Sequence, residues 1–247
     1  MVGDSFMRFK KLIKLFEDGN VCVCGLRGRG KDLLMSNVCV RRNLDYISNI
    51  DYGGKHHFFN YEYLNCGKNT YNQFIDGNVR YYKFPYPDGT DVYLSDAGIY
   101  FPSQFCNELN KKYAYMSVFQ AISRHVGNCN FHFNAQNLNR VWDKIREQSD
   151  IYILCRRCFY VKGWVLQFIT IYDKYDSAVA RMKPLRLPMP LFGNSQTRMM
   201  RKIQLAQHEA THGSIVNRIL FYKNKSNYNT RQFAEILEKG SVIDENL

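Results

Sequence analysis

Two stretches of this chain carry residue types at spacings that can do chemistry. The first is Asn20–Asp32, which reads Asn-Val-Cys-Val-Cys-Gly-Leu-Arg-Gly-Arg-Gly-Lys-Asp. Gly25, Gly28 and Gly30 fall close together, and Lys31 follows the last of them. Glycines let backbone N–H groups turn toward one point without a Cβ in the way, and a helix opening at Lys31 would add the positive potential of its N-terminus. A lysine placed there neutralises the outer oxygens of a polyphosphate. The implied chemistry is nucleotide binding through the phosphates by Gly25, Arg27, Gly28, Arg29, Gly30, Lys31, Asp32 and Leu33. The second stretch is His208-Glu-Ala-Thr-His212. On a helix it sets two imidazoles one turn apart on one face, with Glu209 placed to activate water, as in zinc peptidases. His208 and His212 would ligate the zinc, with Glu235 or Glu238 as a distant third. Gly213 and Ser214 follow where such a helix would continue with an apolar residue, and two surface histidines on a helix account for the pattern as well.

The elements around the glycines suit the first reading. Val21–Cys24 is a short apolar, β-prone run, and from Lys31 the spacing of Leu33, Leu34, Val38 and Val40 predicts a helix to about Arg42. Strand, glycine loop, lysine and helix make up the P-loop, G-x-x-x-x-G-K-[ST]. Gly25, Gly30 and Lys31 match it, but Asp32 stands where the hydroxyl belongs. That hydroxyl ligates Mg²⁺ as a neutral oxygen, whereas a carboxylate beside phosphates is repelled unless the metal lies between them. Asp91–Asp96 (Asp-Val-Tyr-Leu-Ser-Asp) predicts a strand ending in a carboxylate, and Asp96 is the expected Mg²⁺ holder.

Along the rest of the chain, Ser5–Glu17 has the spacing of a basic amphipathic helix, suited to covering a sheet edge or lying on an anionic membrane. Strands are expected at His56–Tyr63, Val79–Phe84, Asn130–Ala135 and Ile151–Cys155, and helices at Tyr113–Val126 and Asn137–Gln148. A hairpin over Cys158–Tyr172 would turn at Lys162-Gly163. The alternation argues for an α/β fold with a mainly parallel sheet and helices on both faces. Lys183–Pro190 carries three prolines and reads with Phe192–Thr197 as a linker, and helices are expected at Gln196–Arg218 and Thr230–Lys239. The organisation expected is an N-terminal amphipathic helix (1–19), a nucleotide-binding core (20–173) and a C-terminal linker with a small helical extension (174–247).

A 45% hydrophobic content excludes a disordered chain, and 247 residues suffice for one large α/β domain. The net charge of +12 favours a polyanionic partner such as nucleic acid or an anionic membrane surface. Arg198, Arg201 and Lys202 form the densest basic cluster of the C-terminal region, which a solvated helix face explains about as well. The eight cysteines form no regular framework and read as buried thiols of a reducing cytosol. Cys155-Arg-Arg-Cys158 has no second pair at zinc spacing. No apolar run is long enough to span a bilayer, and no secretory segment opens the chain.

From Val21 to Tyr172 the chain resembles the zonula-occludens-toxin-like family of filamentous-phage assembly ATPases. Four blocks carry the resemblance: Gly25–Lys31; Leu94-Ser-Asp96-Ala-Gly98-Ile-Tyr100-Phe101; Ser123-Arg-His125 with Phe131–Gln136; and Asp143-Lys144-Ile-Arg146 with Cys155-Arg156-Arg157. The resemblance implies a P-loop NTPase of the additional-strand (FtsK/HerA-like) type, using ATP and Mg²⁺. Such a protein would work as a homo-oligomeric ring that exports or packages single-stranded viral DNA in the bacterial host cytoplasm, beside the inner membrane. It further implies that Lys31 binds phosphate, that Asp96 holds Mg²⁺, and that Gln136 orients the attacking water or senses the γ-phosphate. Arg146, or less readily Arg124, would reach a neighbouring subunit's nucleotide as an arginine finger, although a surface or helix-pairing charge explains either. Ala97 stands where the family has its basic glutamate and Asp32 where it has Ser/Thr. Those departures suggest a relocated carboxylate, with Asp32 ligating Mg²⁺ or polarising water, or else a hydrolysis-deficient scaffold that binds nucleotide and DNA. The family's transmembrane helix after the ATPase domain is missing, so membrane attachment would need a partner or the N-terminal helix.

Overall fold

The computed structural model describes residues 5–59, 86–104, 111–173, 199 and 215–228. Its centre is β2 (Val21–Cys24), every residue of which is buried. Parallel neighbours flank it: β6 (Phe131–Ala135) on one side and β7 (Ile151–Val161) on the other. Beyond β6 lie β5 (Asp91–Leu94), β3 (Tyr46–Ser48) and β4 (His56–Phe58), all parallel. Beyond β7, β8 (Trp164–Tyr172) and β9 (Ile215–Lys223) run antiparallel, and β1 (Ser5–Phe6) pairs parallel with β9. Among the described residues the order is β1-β9-β8-β7-β2-β6-β5-β3-β4. The glycine-loop strand β2 and the acidic strand β5 are thus separated by β6, the additional strand. This is the α/β strand order expected for an additional-strand P-loop fold.

Strands buried on both faces need apolar side chains at consecutive positions, and the pleat deals them alternately to two cores. Cys22, Cys24, Val92, Leu94, Phe131 and Phe133 face one core. There Phe119 of α4 (Lys111–Gly127), Ala97 of α3 (Ala97–Tyr100) and Ile145 of α5 (Asp143–Arg146) cover them. On the other face Val21, Val23, Tyr93 and Ile153 meet Leu12 and Phe16 of α1 (Phe9–Asp18) and Leu34, Met35 and Val38 of α2 (Lys31–Arg42).

Several elements differ from the expectation. The N-terminal helix starts at Phe9 rather than Ser5, because Ser5 and Phe6 pair with Arg218 and Ile219 and the Met7 N–H donates to the Ile219 carbonyl at 2.9 Å. Its apolar face, with Leu12 and Phe16 fully buried, covers the sheet and is not available to a membrane. The helix expected over Gln196–Arg218 gives way at its end to β9, so residues 215–223 are part of the sheet. The helix expected over Asn137–Gln148 is broken into a 3₁₀ turn, Leu138–Arg140, and the single turn α5. Between them Val141 bridges Pro102 and the Trp142 N–H donates to the Phe101 carbonyl at 2.9 Å, which competes with helical bonding. The expected strand and hairpin at 151–172 are one long β7 with a bulge between Cys155 and Arg157, then β8. Lys162 and Gly163 form the turn with positive φ (48° and 82°), as a tight hairpin requires. Of the run expected over His56–Tyr63, His56–Phe58 is a strand, and residues 60–63 lie outside the described residues.

The expected strand Val79–Phe84, the proline linker, the helix Thr230–Lys239, the Arg198–Lys202 cluster and His208–His212 lie outside the described residues. Among those described, no helix is long and apolar enough to cross a membrane.

His132 ties the N-terminal edges of three strands together. Its Nδ1 accepts from the Val21 N–H at 3.2 Å, and its Nε2 faces Asp91 at 3.4 Å. Burial first, then Arg42 and Arg124, holds its pKa well below the usual imidazole value, with Asp150 opposing. The ring is therefore neutral in the fold. The unfolded chain takes up this proton near pH 6.5 and the folded protein only at lower pH. Its contribution is whole above about pH 6.5 and is lost as pH falls, by at most about 1.4 kcal/mol per unit. His56 is shifted the same way and adds to the slope. Thermal unfolding at pH 7 and pH 5 should show a smaller acid loss for His132→Asn than for wild type. Equal losses would remove the histidine from the account.

Candidate functional site

At the C-terminal edge of β2 the chain turns through Gly25, Gly28 and Gly30, all at positive φ (145°, 75° and 77°). A Cβ on Gly25 would lie 2.6 Å from the Cys155 carbonyl oxygen, and one on Gly30 would lie 2.7 Å from Cys158 Sγ. The first and third glycines thus serve both the turn and the close seating of the loop on β7. Gly28 has open space around it. Chemical denaturation should find Gly25→Ala destabilised by about 2 kcal/mol or more, from the backbone strain plus the clash. Gly28→Ala, which carries strain alone, should lose only about 1 kcal/mol. Equal losses would mean that the seating on β7 does not matter.

The loop is also held from below. Gln167 of β8 donates through Nε2 to the carbonyls of Arg29 (3.2 Å) and Gly30 (3.0 Å), and accepts at Oε1 from the Tyr222 hydroxyl of β9 at 2.9 Å. The antiparallel half of the sheet therefore positions the loop. Gly30 stands at the N-cap of α2, where it has no side chain to accept from the first-turn N–H groups. Leu26, Arg27 and Gly28 are exposed at the loop's crest, Arg29 is half-buried, and Leu33 packs partly into the core.

Lys31 is only 5% exposed, and it makes no hydrogen bond or ion pair with the described residues. Asp32, the next residue, is strongly bonded. Its Oδ1 accepts from the Ser95 hydroxyl at 2.5 Å and from Asn134 Nδ2 at 2.6 Å. Asn134 also accepts, through Oδ1, from the Asp96 N–H at 2.9 Å. Ser95 is fixed by Asn49, which accepts from its N–H (2.8 Å) and donates to its carbonyl (3.0 Å). Burial first, then the Asp32 and Asp96 carboxylates, raise the pKa of the Tyr228 hydroxyl.

Asp96 leaves the strand at φ 48°, in the left-handed region. Burial first and Asp32 second raise its pKa, while Lys31 and a hydrogen bond to Gln136 lower it. Lys31, Asp32, Asp96 and Gln136 are thus brought together, as their positions in sequence predict. Arg146 is not with them: its Nη1 donates to the carbonyls of Leu138 and Val141, both at 3.3 Å. Arg124 sits at the opposite, N-terminal edge of the sheet, paired with Asp150 at 3.0 Å. Cys155 and Cys158 are free thiols whose pKa burial pushes up, and they pack beneath the loop.

Ser95, Asn134, Asn49, Gln167 and Tyr228 were not expected. The available signal was a polar residue inside an apolar, doubly covered strand, as Asn134 and Gln167 are.

No family model matches the chain, and no curated protein matches it. Among solved structures it is similar to the N-terminal domain of zonular occludens toxin from Neisseria meningitidis, at 13% identity and a TM-score of 0.41, covering 63% of this chain and 84% of that one. It is similar also to the genome packaging NTPase B204 from Sulfolobus turreted icosahedral virus 2, solved with ATP-gammaS (13% identity, TM-score 0.39, 65% and 94% covered). A third is the pCW3 conjugation coupling protein TcpA with ATPgS (12% identity, TM-score 0.39, 62% and 58% covered).

Proposed function

We propose that this chain binds Mg-ATP at Gly25–Leu33 and hydrolyses it to drive the movement of single-stranded viral DNA during virion assembly. The observation that carries the reading is Lys31, a lysine only 5% exposed, seated beside a glycine turn and at the start of helix α2. A phosphate is the partner that this geometry suits. The loop N–H groups and Lys31 bind the phosphates, and Arg27 and Arg29 lie at the mouth of the loop. Asp32, Ser95 and Asp96 form an all-oxygen donor set, which fits Mg²⁺. When bound, that ion would neutralise charge on the β- and γ-phosphates. Gln136, beside Asp96, orients water. Net charge +12 supports a DNA partner. The oligomeric ring, the bacterial host cytoplasm and a membrane-protein partner belong to the same reading. Arg146 serves as the finger only if it exchanges its bonds to Leu138 and Val141 for a neighbouring subunit's nucleotide.

Ala97, where a basic glutamate would stand, favours a second reading: a scaffold gated by nucleotide without turnover. Steady-state phosphate release with and without single-stranded DNA, for wild type and Lys31→Ala, separates the two. DNA-stimulated release that the variant loses supports the motor. Nucleotide binding without release supports the scaffold.

A further inference from the structure

In a P-loop site the residue after the lysine carries a hydroxyl, and a carboxylate on the acidic strand faces it; the two share the metal. The same two chemical groups face each other here, on exchanged elements. Asp32, the first-turn residue of α2, carries the carboxylate. Ser95, at the end of β5, carries the hydroxyl and donates it to Asp32 Oδ1 at 2.5 Å. Both ends are built in. Asn49 clamps Ser95 with two backbone hydrogen bonds, and Asn134 of the intervening strand β6 donates to Asp32 at 2.6 Å. The residue facing position 32 is therefore Ser95, and Asp96 lies one residue beyond it. There the chain exits the strand with φ 48°, and the Asp96 N–H donates to Asn134 Oδ1 at 2.9 Å.

Resting on the nucleotide-binding reading, we propose that Asp32 and Ser95 are a reciprocally exchanged metal-binding pair. Asp32 ligates Mg²⁺ through its carboxylate and Ser95 through its hydroxyl.

The exchange has a reciprocal test. Asp32→Ser leaves two hydroxyls and no carboxylate at the pair, Ser95→Asp sets two carboxylates against each other, and the double variant restores one of each in the opposite orientation. The readouts are the affinity of a fluorescent ATP analogue with and without Mg²⁺, and Mn²⁺ binding followed by electron paramagnetic resonance. Each single variant should lose about 10-fold or more of the metal-dependent affinity, and the double variant should recover most of it. Metal-free analogue binding and circular dichroism establish that each variant is folded. A double variant no better than the worse single one, or Asp32→Ser with wild-type metal dependence, overturns the exchange while leaving nucleotide binding standing. Wild type that binds no analogue overturns both.

Discussion

Lys31→Ala is expected to abolish nucleotide-dependent phosphate release without destabilising the protein. Lys31 is only 5% exposed and makes no hydrogen bond or ion pair with the described residues, so removing its charge breaks no such contact among them. The variant's Tm without nucleotide should therefore stay close to that of wild type. The effect appears when nucleotide is added. At about 100 times Kd, wild type should gain about 2.7 kcal/mol of stability from the ligand, and the variant should gain little. Nucleotide titrations followed by thermal unfolding read both quantities at once. A variant that is strongly destabilised without ligand would mean that Lys31 is a structural charge.

The largest loss of stability should come from the opposite edge of the sheet. Arg42 closes α2 and pairs with Asp91 at the start of β5, with side chains only 8% and 3% exposed. Asp91 also accepts from the Asn130 N–H at 2.8 Å and faces His132, while Arg42 donates to the Tyr93 hydroxyl at 3.0 Å. Truncating one partner strands the other charge in the core, which typically costs about 3–5 kcal/mol. Asp91→Leu should therefore lose about that much in chemical denaturation, because Arg42 would then lie beside a neutral His132. The double variant Arg42→Met, Asp91→Leu should be more stable than Asp91→Leu alone, since no charge is left buried. A double variant destabilised by the sum of the two single losses would show that the pair is not coupled.

The division between what was legible in sequence and what was not follows the range of the interactions. Strand Val21–Cys24, the glycine turn and helix Lys31–Arg42 depend on local spacing: a run of apolar residues, glycines that permit positive φ, and a helical repeat after the lysine. Strand Asp91–Leu94, helix Lys111–Gly127 and the Lys162-Gly163 turn are local in the same sense. Alternating strands and helices were enough to indicate a mainly parallel sheet.

Where two distant backbones compete, periodicity misleads. Ser5 and Phe6 satisfy the helical pattern but bond to β9, and Val141–Trp142 interrupt a helical pattern because the chain near Phe101 offers them partners. Residues 215–218 of strand Ile215–Lys223 read as helix for a related reason, since the strand's conformation comes from pairing with β8. The site divides the same way. That Lys31, Asp32, Asp96 and Gln136 would lie at one edge of the sheet was legible, because a loop after one strand and the ends of its parallel neighbours share that edge. That Asp32 would meet Ser95 rather than Asp96 was not, because the pairing of side chains across a sheet is set by strand order and register. Here β6 stands between β2 and β5 and sets Asn134 against both Asp32 and Asp96. The sequence by itself determined that a glycine turn joins a buried strand to a helix that opens at Lys31; only the tertiary structure decided which oxygen atoms face one another beside it.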